Sequence, residues 1–413
     1  MQSNYKRLGE YITLVDKRNY DLKNHNLIGL SIQKKFIPSI SNIIGTDMST
    51  YRIINQNQFA YCPVTSRNGE KITVALYQKQ EAAIISQAYT VFEITDTEKL
   101  LPEYLMMWFM RPEFDRYARY MSYGSVREIF SWEEMCNVLL PVPSIEKQQE
   151  IVKEYQVILN RIALNNRLIE TLEQTAQAIY KHWFIDFEFP DENGNPYKSS
   201  GGEMEFNKEL DKEIPKGWEV KKISDLSKIK GGKRLPKGES LNNEKNGRPY
   251  IKVADMCKTK FIVLNDKFEY VDDNLQKSIS SYIVSKGDII LSIVGTIGLL
   301  NIIDDSLDTA NLTENCVKLT NLKEYNIDYI YCFLSSSTGQ REIEMKTVGG
   351  VQGKLPLYNI QGITFPYPNK ILLAKYKNII TNLNNLLKVK LIENSNLLVM
   401  IDVLFSKLAT TTN

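Results

Sequence analysis

Few residues in this chain are spaced for catalysis. One arrangement imitates a metal-dependent phosphodiesterase: Pro190-Asp191, then Glu219-Val220-Lys221, two carboxylates and a lysine of the kind that hold a divalent cation against a phosphate. Asp191, however, falls in the turn-like stretch PDENG, and Glu219 to Lys221 opens a strand that recurs elsewhere in the chain without those residues. A Ser/His/Asp arrangement would need His25, which sits in a polar NHN loop, or His182, which closes a long helix. GGKR at 231–234 lacks the upstream glycine of a phosphate-cradling loop, and neither GxGxxG nor the Asn/Asp-Pro-Pro-aromatic tetrapeptide of amino-methylating enzymes occurs. The cysteines Cys62, Cys136, Cys257, Cys316 and Cys332 are scattered without a CxxC, so free thiols are expected and a zinc site is not. No catalytic residue and no metal ligand is expected in this chain.

What remains are loops suited to binding. KIKGGKRLPKG (228–238) packs Lys230, Lys233, Arg234 and Lys237 around a Gly-Gly, so that basic side chains and exposed backbone N–H groups could meet phosphate. VDKRNYD offers Lys17 and Arg18 at the corresponding place in an earlier part of the chain. A second pair of stretches, YGSVREIF with Arg127 and VGGVQGKL with Gln352 and Lys354, sets Arg, Gln and Lys beside small residues that allow close approach to base edges. PVTSRNGEK reads as a hairpin whose tip carries Arg67. Each of these is also readable as an ordinary solvated loop. A net charge of +2 does not decide the matter, because residues 1–143 carry 16 Lys/Arg against 15 Asp/Glu and 218–368 carry 20 against 18. A polyanionic partner would have to meet local basic faces rather than a basic body.

The elements that position these loops come in two copies. Shifted by 225 residues, the second half answers the first: Tyr104 falls on Tyr329, Gly124 on Gly349, Pro141 on Pro366 and Pro143 on Pro368. Each copy begins with short β-type runs punctuated by Gly, Asn and Pro, continues through an amphipathic helix near 102–119 or 328–346, and ends in a long uninterrupted helix. The first long helix repeats a 4–3 seam of Ile151, Tyr155, Ile158, Ile162, Asn165, Ile169 and Leu172, and the second one of Tyr376, Ile380, Leu383, Leu387, Lys390, Asn394, Leu397 and Ile401. That step is the heptad of a helix packing along one line, so the two are expected to pair. Antiparallel pairing about equivalent centres near 167 and 392 places Asn165 opposite Asn394. The expected fold is α+β, with two β-rich domains related by pseudo-twofold symmetry and separated by two helices in an antiparallel coiled coil. The expected boundaries are 1–143, 144–183 (first long helix), 184–217 (acidic linker), 218–368 and 369–413 (second long helix). No apolar run approaches the ~18 residues of a membrane span and the N-terminus has no apolar signal core, so a soluble cytoplasmic protein is expected.

This arrangement resembles the specificity subunit of type I restriction–modification systems. The duplication, the stretches PVPSIEKQQEIV and LIETLEQTAQAIYKHWFIDFEFP, and the GGEM…IPKGWEV link carry the resemblance over essentially the whole chain. It implies that each β-rich part is a target-recognition domain reading one half of a bipartite duplex DNA site. It implies a coiled coil that sets the gap and docks two methyltransferase (modification) subunits, with restriction subunits completing a nuclease. S-adenosylmethionine would then sit on the modification subunits and ATP with Mg2+ on the restriction subunits, with no cofactor in this chain. The alternative is a coiled-coil scaffold or adaptor whose globular ends bind proteins.

Overall fold

The computed structural model describes residues 5–23, 26–39, 45–66, 69, 71–124, 127–245, 247–350 and 353–410. The chain divides into two compact units, 1–162 with 396–413, and 163–395, so that each contains part of both long helices.

In the first unit, alternating β-branched and aromatic residues make strands of three to five residues. One antiparallel sheet runs Ile12–Val15, Thr90–Ile94, Phe59–Tyr61, Val74–Leu76, and a second runs Phe36–Pro38, Leu27–Leu30, Ala83–Ile85, Arg52–Ile54 with one parallel pair. Tyr5–Arg7 pairs with Leu139–Pro141 where the chain leaves for the first long helix. The helices Pro102–Met110 and Pro112–Tyr120 cover the first sheet, each using a proline at a position with no N–H to lose.

The second unit repeats this plan with insertions. Its main sheet runs Lys228–Gly231, Cys316–Thr320, Ile289–Ser292, Leu300–Ile303, Phe261–Ile262, beside a small sheet of Glu269–Tyr270, Pro249–Ile251 and Asn311–Leu312. Glu219–Lys222 pairs with Thr364–Tyr367 at the exit to the second long helix, as Tyr5–Arg7 does with Leu139–Pro141. The buried tyrosines at equivalent positions make equivalent bonds: Tyr104 Oη donates to the Pro141 carbonyl at 3.1 Å, and Tyr329 Oη donates to that of Pro366. These tyrosines tie the helix before each exit to the strand that leads out. The linker is a packed part of this unit: Phe187, Phe189 and Trp218 are buried, and Met204–Asn207 pairs with Lys212–Pro215.

The long helices span Ile145–Phe184 and Lys370–Leu408. Their sequences are rich in helix formers without Gly or Pro, and equivalent side chains cap their starts: Ser144 Oγ accepts from the Lys147 N–H and Asn369 Oδ1 from that of Leu372. Within the first unit, Ile151 is buried among Ile401, Phe405 and Leu408, with Tyr155, Ile158 and Ile162 packed against the same core. Within the second, Leu172 and Ala176 share a core with Ile380 and Leu387, with Leu383 alongside, and Trp183 meets Tyr376 at 5.9 Å between ring centroids. Ile169 is buried and Leu397 half-buried on their helices. Both sets run in opposite directions, the order of an antiparallel pair. The buried set widens beyond the strict 4–3 line to Tyr180, Phe184, Leu373 and Phe405, because the helix ends pack on the globular parts as well as on each other.

Asn165, fully buried, donates its Nδ2 to Asn394 Oδ1 at 3.0 Å, and Asn394 Nδ2 donates to Asn166 Oδ1 at 2.8 Å. Lys390 turns along its own helix to Glu393 at 2.7 Å. A polar pair among apolar seam residues fixes register at some cost in stability. Asn394→Ala, which leaves the buried Asn165 amide without its partner, is expected to cost about 1–3 kcal/mol, while the double change Asn165→Leu with Asn394→Leu is neutral or stabilising. Urea midpoints of the three proteins check this.

Candidate nucleic-acid interface

The residues that imitated a nuclease are occupied with turns and strands. Asp191 Oδ1 accepts from the N–H groups of Asn193 and Asn195 at 2.8 Å each, so it closes its own turn, and Glu219 pairs with Lys221 at 2.8 Å. His182 is exposed at the end of the first long helix, and His25 lies outside the described residues. Burial raises the thiols of Cys62, Cys136, Cys316 and Cys332, that of Cys316 to about 12, so none of these four is poised as a nucleophile.

The stretch 228–238 corrects one expectation. It begins as strand Lys228–Gly231, and the backbone that was expected to be exposed is spent inside the unit: Gly232 N–H donates to the Cys316 carbonyl at 2.8 Å and Lys233 N–H to that of Leu312 at 2.9 Å. The glycine is needed because its Cα lies against the neighbouring chain; a Cβ at Gly232 would fall 1.8 Å from the Thr313 carbonyl oxygen. Only side chains are left to meet a partner. Lys230, Lys233, Arg234 and Lys237 are all exposed, with Lys233 Nζ 5.8 Å from the Tyr282 ring and Arg234 Nε donating to Glu314 at 2.7 Å. Beneath them Lys318 is mostly buried beside Asp288; burial, helped by the charge of Lys230, holds its ammonium below the usual range.

In the first unit, Lys17 is exposed. Arg18 is half-buried and has an internal role, its Nη1 donating to the Thr50 carbonyl at 3.0 Å and its Nη2 lying 3.2 Å from Asp16. Arg127 is exposed between Tyr123 and Ile129, which exchange backbone hydrogen bonds of 3.2 and 2.9 Å. Val348 and Lys354 do the same at the equivalent place in the second unit, at 2.9 and 2.8 Å, and Lys354 is exposed. Gly124 and Gly349, at positive φ, open the two hairpins. Arg67 and Gln352 lie outside the described residues. Sequence reasoning missed Glu314, Lys318 and Tyr282, which join the basic stretch from far along the chain; no local pattern marks them.

Comparison with known proteins decides the family. The family model of the type I restriction modification DNA specificity domain matches twice, over residues 4–174 and 215–397. The chain belongs to this family. This type I specificity subunit thus carries two recognition domains. It is 28% identical over 278 residues, 66% of its length, to the MjaIX specificity subunit of Methanocaldococcus jannaschii, and spans 57% of that protein. Over 323 residues it is 25% identical to the HindI specificity subunit of Haemophilus influenzae, covering 65% of this chain and 68% of that one. In fold it is similar to the crystal structure of a type I S subunit from M. genitalium, with a TM-score of 0.52 at 15% identity, covering 99% and 96% of the two chains. No helix among the described residues is long and apolar enough to cross a membrane.

Proposed function

We propose that each recognition domain of this cytoplasmic specificity subunit reads one half of an asymmetric, interrupted duplex DNA site, and that the paired long helices set the gap between halves and dock two methyltransferase subunits. The observation that carries the reading is a repeated scaffold with unlike surfaces. The frameworks of the two units correspond, down to the backbone pairs Tyr123–Ile129 and Val348–Lys354, yet the exposed residues differ, Ile129 standing in one where Lys354 stands in the other. Two similar but non-identical readers suit two different half-sites.

Docking of modification subunits is supported by apolar surface on the long helices. In the second unit Leu386, Val389 and Ile392 are exposed; in the first, Val157, Met400 and Val403. Each unit also has a groove where its own helix meets a long helix, of about 400 Å³ beside Met106, Met110 and Tyr155, and about 270 Å³ beside Tyr331, Leu383 and Leu387. Apolar patches of this kind mark partner surfaces. The chain catalyses nothing by itself in this reading: S-adenosylmethionine belongs to the modification subunits, and ATP and Mg2+ to restriction subunits.

The test is duplex binding by the chain with its modification subunits. Binding is expected to select a two-part motif and to weaken steeply with salt, log Kd rising linearly with log salt concentration. Binding that ignores both sequence and salt, together with capture of unrelated proteins by the globular ends, favours the adaptor reading.

A further inference from the structure

Two arginines of the second unit are held at Nε by a carboxylate, Arg248 by Asp273 at 2.8 Å and, in the basic stretch, Arg234 by Glu314. Arg234 is 80% exposed, yet its Nε donates to Glu314 Oε1 at 2.7 Å, and Glu314 is itself held, its other oxygen accepting from Thr313 Oγ1 at 3.0 Å. Partial burial raises the Glu314 carboxyl, but hydrogen bonds from Arg234, its own N–H and Thr313 outweigh that and hold it below its usual value. The backbone under the pair is fixed as well. Lys233 and Gly232 are bonded to Leu312 and Cys316, and Tyr250 Oη donates to the Lys233 carbonyl at 2.7 Å.

An exposed ion pair of this kind contributes little to stability. Its consequence is for geometry. With Nε tethered, the guanidinium has fewer ways to turn, and among the described residues Nη1 and Nη2 donate to nothing. That end of the fork offers two parallel donors, the pattern that matches O6 and N7 of guanine in the major groove. A phosphate at the same place would meet the Glu314 carboxylate next to the arginine, and like charges repel; a base edge carries no net charge. A phosphate contact needs no buttress, whereas a base contact gains from a side chain ordered beforehand.

We propose that Arg234, held by Glu314, is a specificity-determining residue that reads the guanine of one G·C pair in the half-site of the second recognition domain. This rests on the recognition reading above and assigns a residue and a base within it.

The experiment uses the full chain with its modification subunits and a duplex library randomised across the site. It compares wild type with Arg234→Lys, which keeps the charge and loses the fork, and Glu314→Gln, which removes the carboxylate. Arg234→Lys is expected to lower preference for guanine at one position of one half-site by about ten- to hundred-fold while the other positions and the salt slope stay as they were. Glu314→Gln is expected to relax that same position. The proposal is overturned if both variants select the wild-type motif, or if Arg234→Lys weakens every sequence equally, as a poorer phosphate contact would. It is overturned too if Glu314→Gln tightens all sequences without altering base preference. A wild-type complex that selects no motif sinks the recognition reading itself, and the assignment of Arg234 with it.

Discussion

Replacing Asp328 by alanine is expected to destabilise the second unit by about 3–5 kcal/mol, the largest effect foreseen for a single side chain outside the hydrophobic core. Asp328 lies on the helix Glu324–Ser335 and accepts from two directions: Lys260 Nζ at 2.5 Å and, from the second long helix, Asn384 Nδ2 at 2.8 Å. The lysine side chain is 3% exposed and the carboxylate 9%. The backbone N–H of Lys260 donates to Glu173 of the first long helix at 2.5 Å, and Lys388 pairs with Asp304 at 3.0 Å close by. These contacts fasten the recognition domain to both helices inside one unit. Removing the carboxylate leaves a buried ammonium without its partner, and that uncompensated charge, rather than the worth of the pair, sets the cost. Hence the double change Lys260→Met with Asp328→Leu is expected to recover most of the loss. Denaturant unfolding followed by tryptophan fluorescence, to which Trp183 and Trp218 of this unit contribute beside Trp108 and Trp132 of the other, checks the pair of results. A loss under 1 kcal/mol for Asp328→Ala would mean that Lys260 finds water or another partner.

That network also shows where sequence reading stops. The seam of the long helices was legible because its information is local: one apolar residue every three or four positions fixes a face. The repeat then supplies the partner face and, from two asparagines, the register in which Asn165 meets Asn394. The Tyr104 and Tyr329 bonds were half legible, since the repeat aligned both tyrosines and the prolines that receive them, but not the contact between them. Lys260 and Asp328 sit in the polar-looking strings KTKF and NIDY, whose neighbours do not reveal that both are buried. Their burial follows from a helix and a strand edge brought together by the fold, which no spacing encodes. The same holds for Glu314, 80 residues from Arg234. Gly232 is the reverse case: the glycine is visible in the sequence and suggests exposed backbone, but close packing against Thr313 is what requires it. Composition marks Lys233 and Arg234 as candidates for meeting a polyanion; the proposal that Arg234 meets a base rather than a phosphate rests on the acid placed beside it, which composition does not show.

Lengthening both long helices by one heptad is expected to change the gap between half-sites without changing the bases read. The insertions go between Ile162 and Ala163 and between Asn396 and Leu397, facing places outside the Asn165–Asn394 pair, so that the 4–3 seam stays in phase on both helices. Seven helical residues add about 10 Å, which corresponds to roughly three base pairs of duplex at ~3.4 Å each. Duplex DNA turns through about a third of a revolution over that distance, one turn being ~10 base pairs, so the readers would no longer face their half-sites without twisting the complex. The expected gain in gap is therefore between about one and three base pairs, with the smaller values accommodated by twist. Binding to the original spacing should fall towards the non-specific level, about a thousand-fold or more, because only one half-site can be engaged at a time. Library selection on wild type and insertion variant reads both quantities together. If the two half-motifs survive with an unchanged gap, the helices are not the ruler and the spacing is set by the partner subunits. If instead the bases within a half-motif change, the recognition domains depend on the helices for their shape, and reading cannot be assigned to the domains alone.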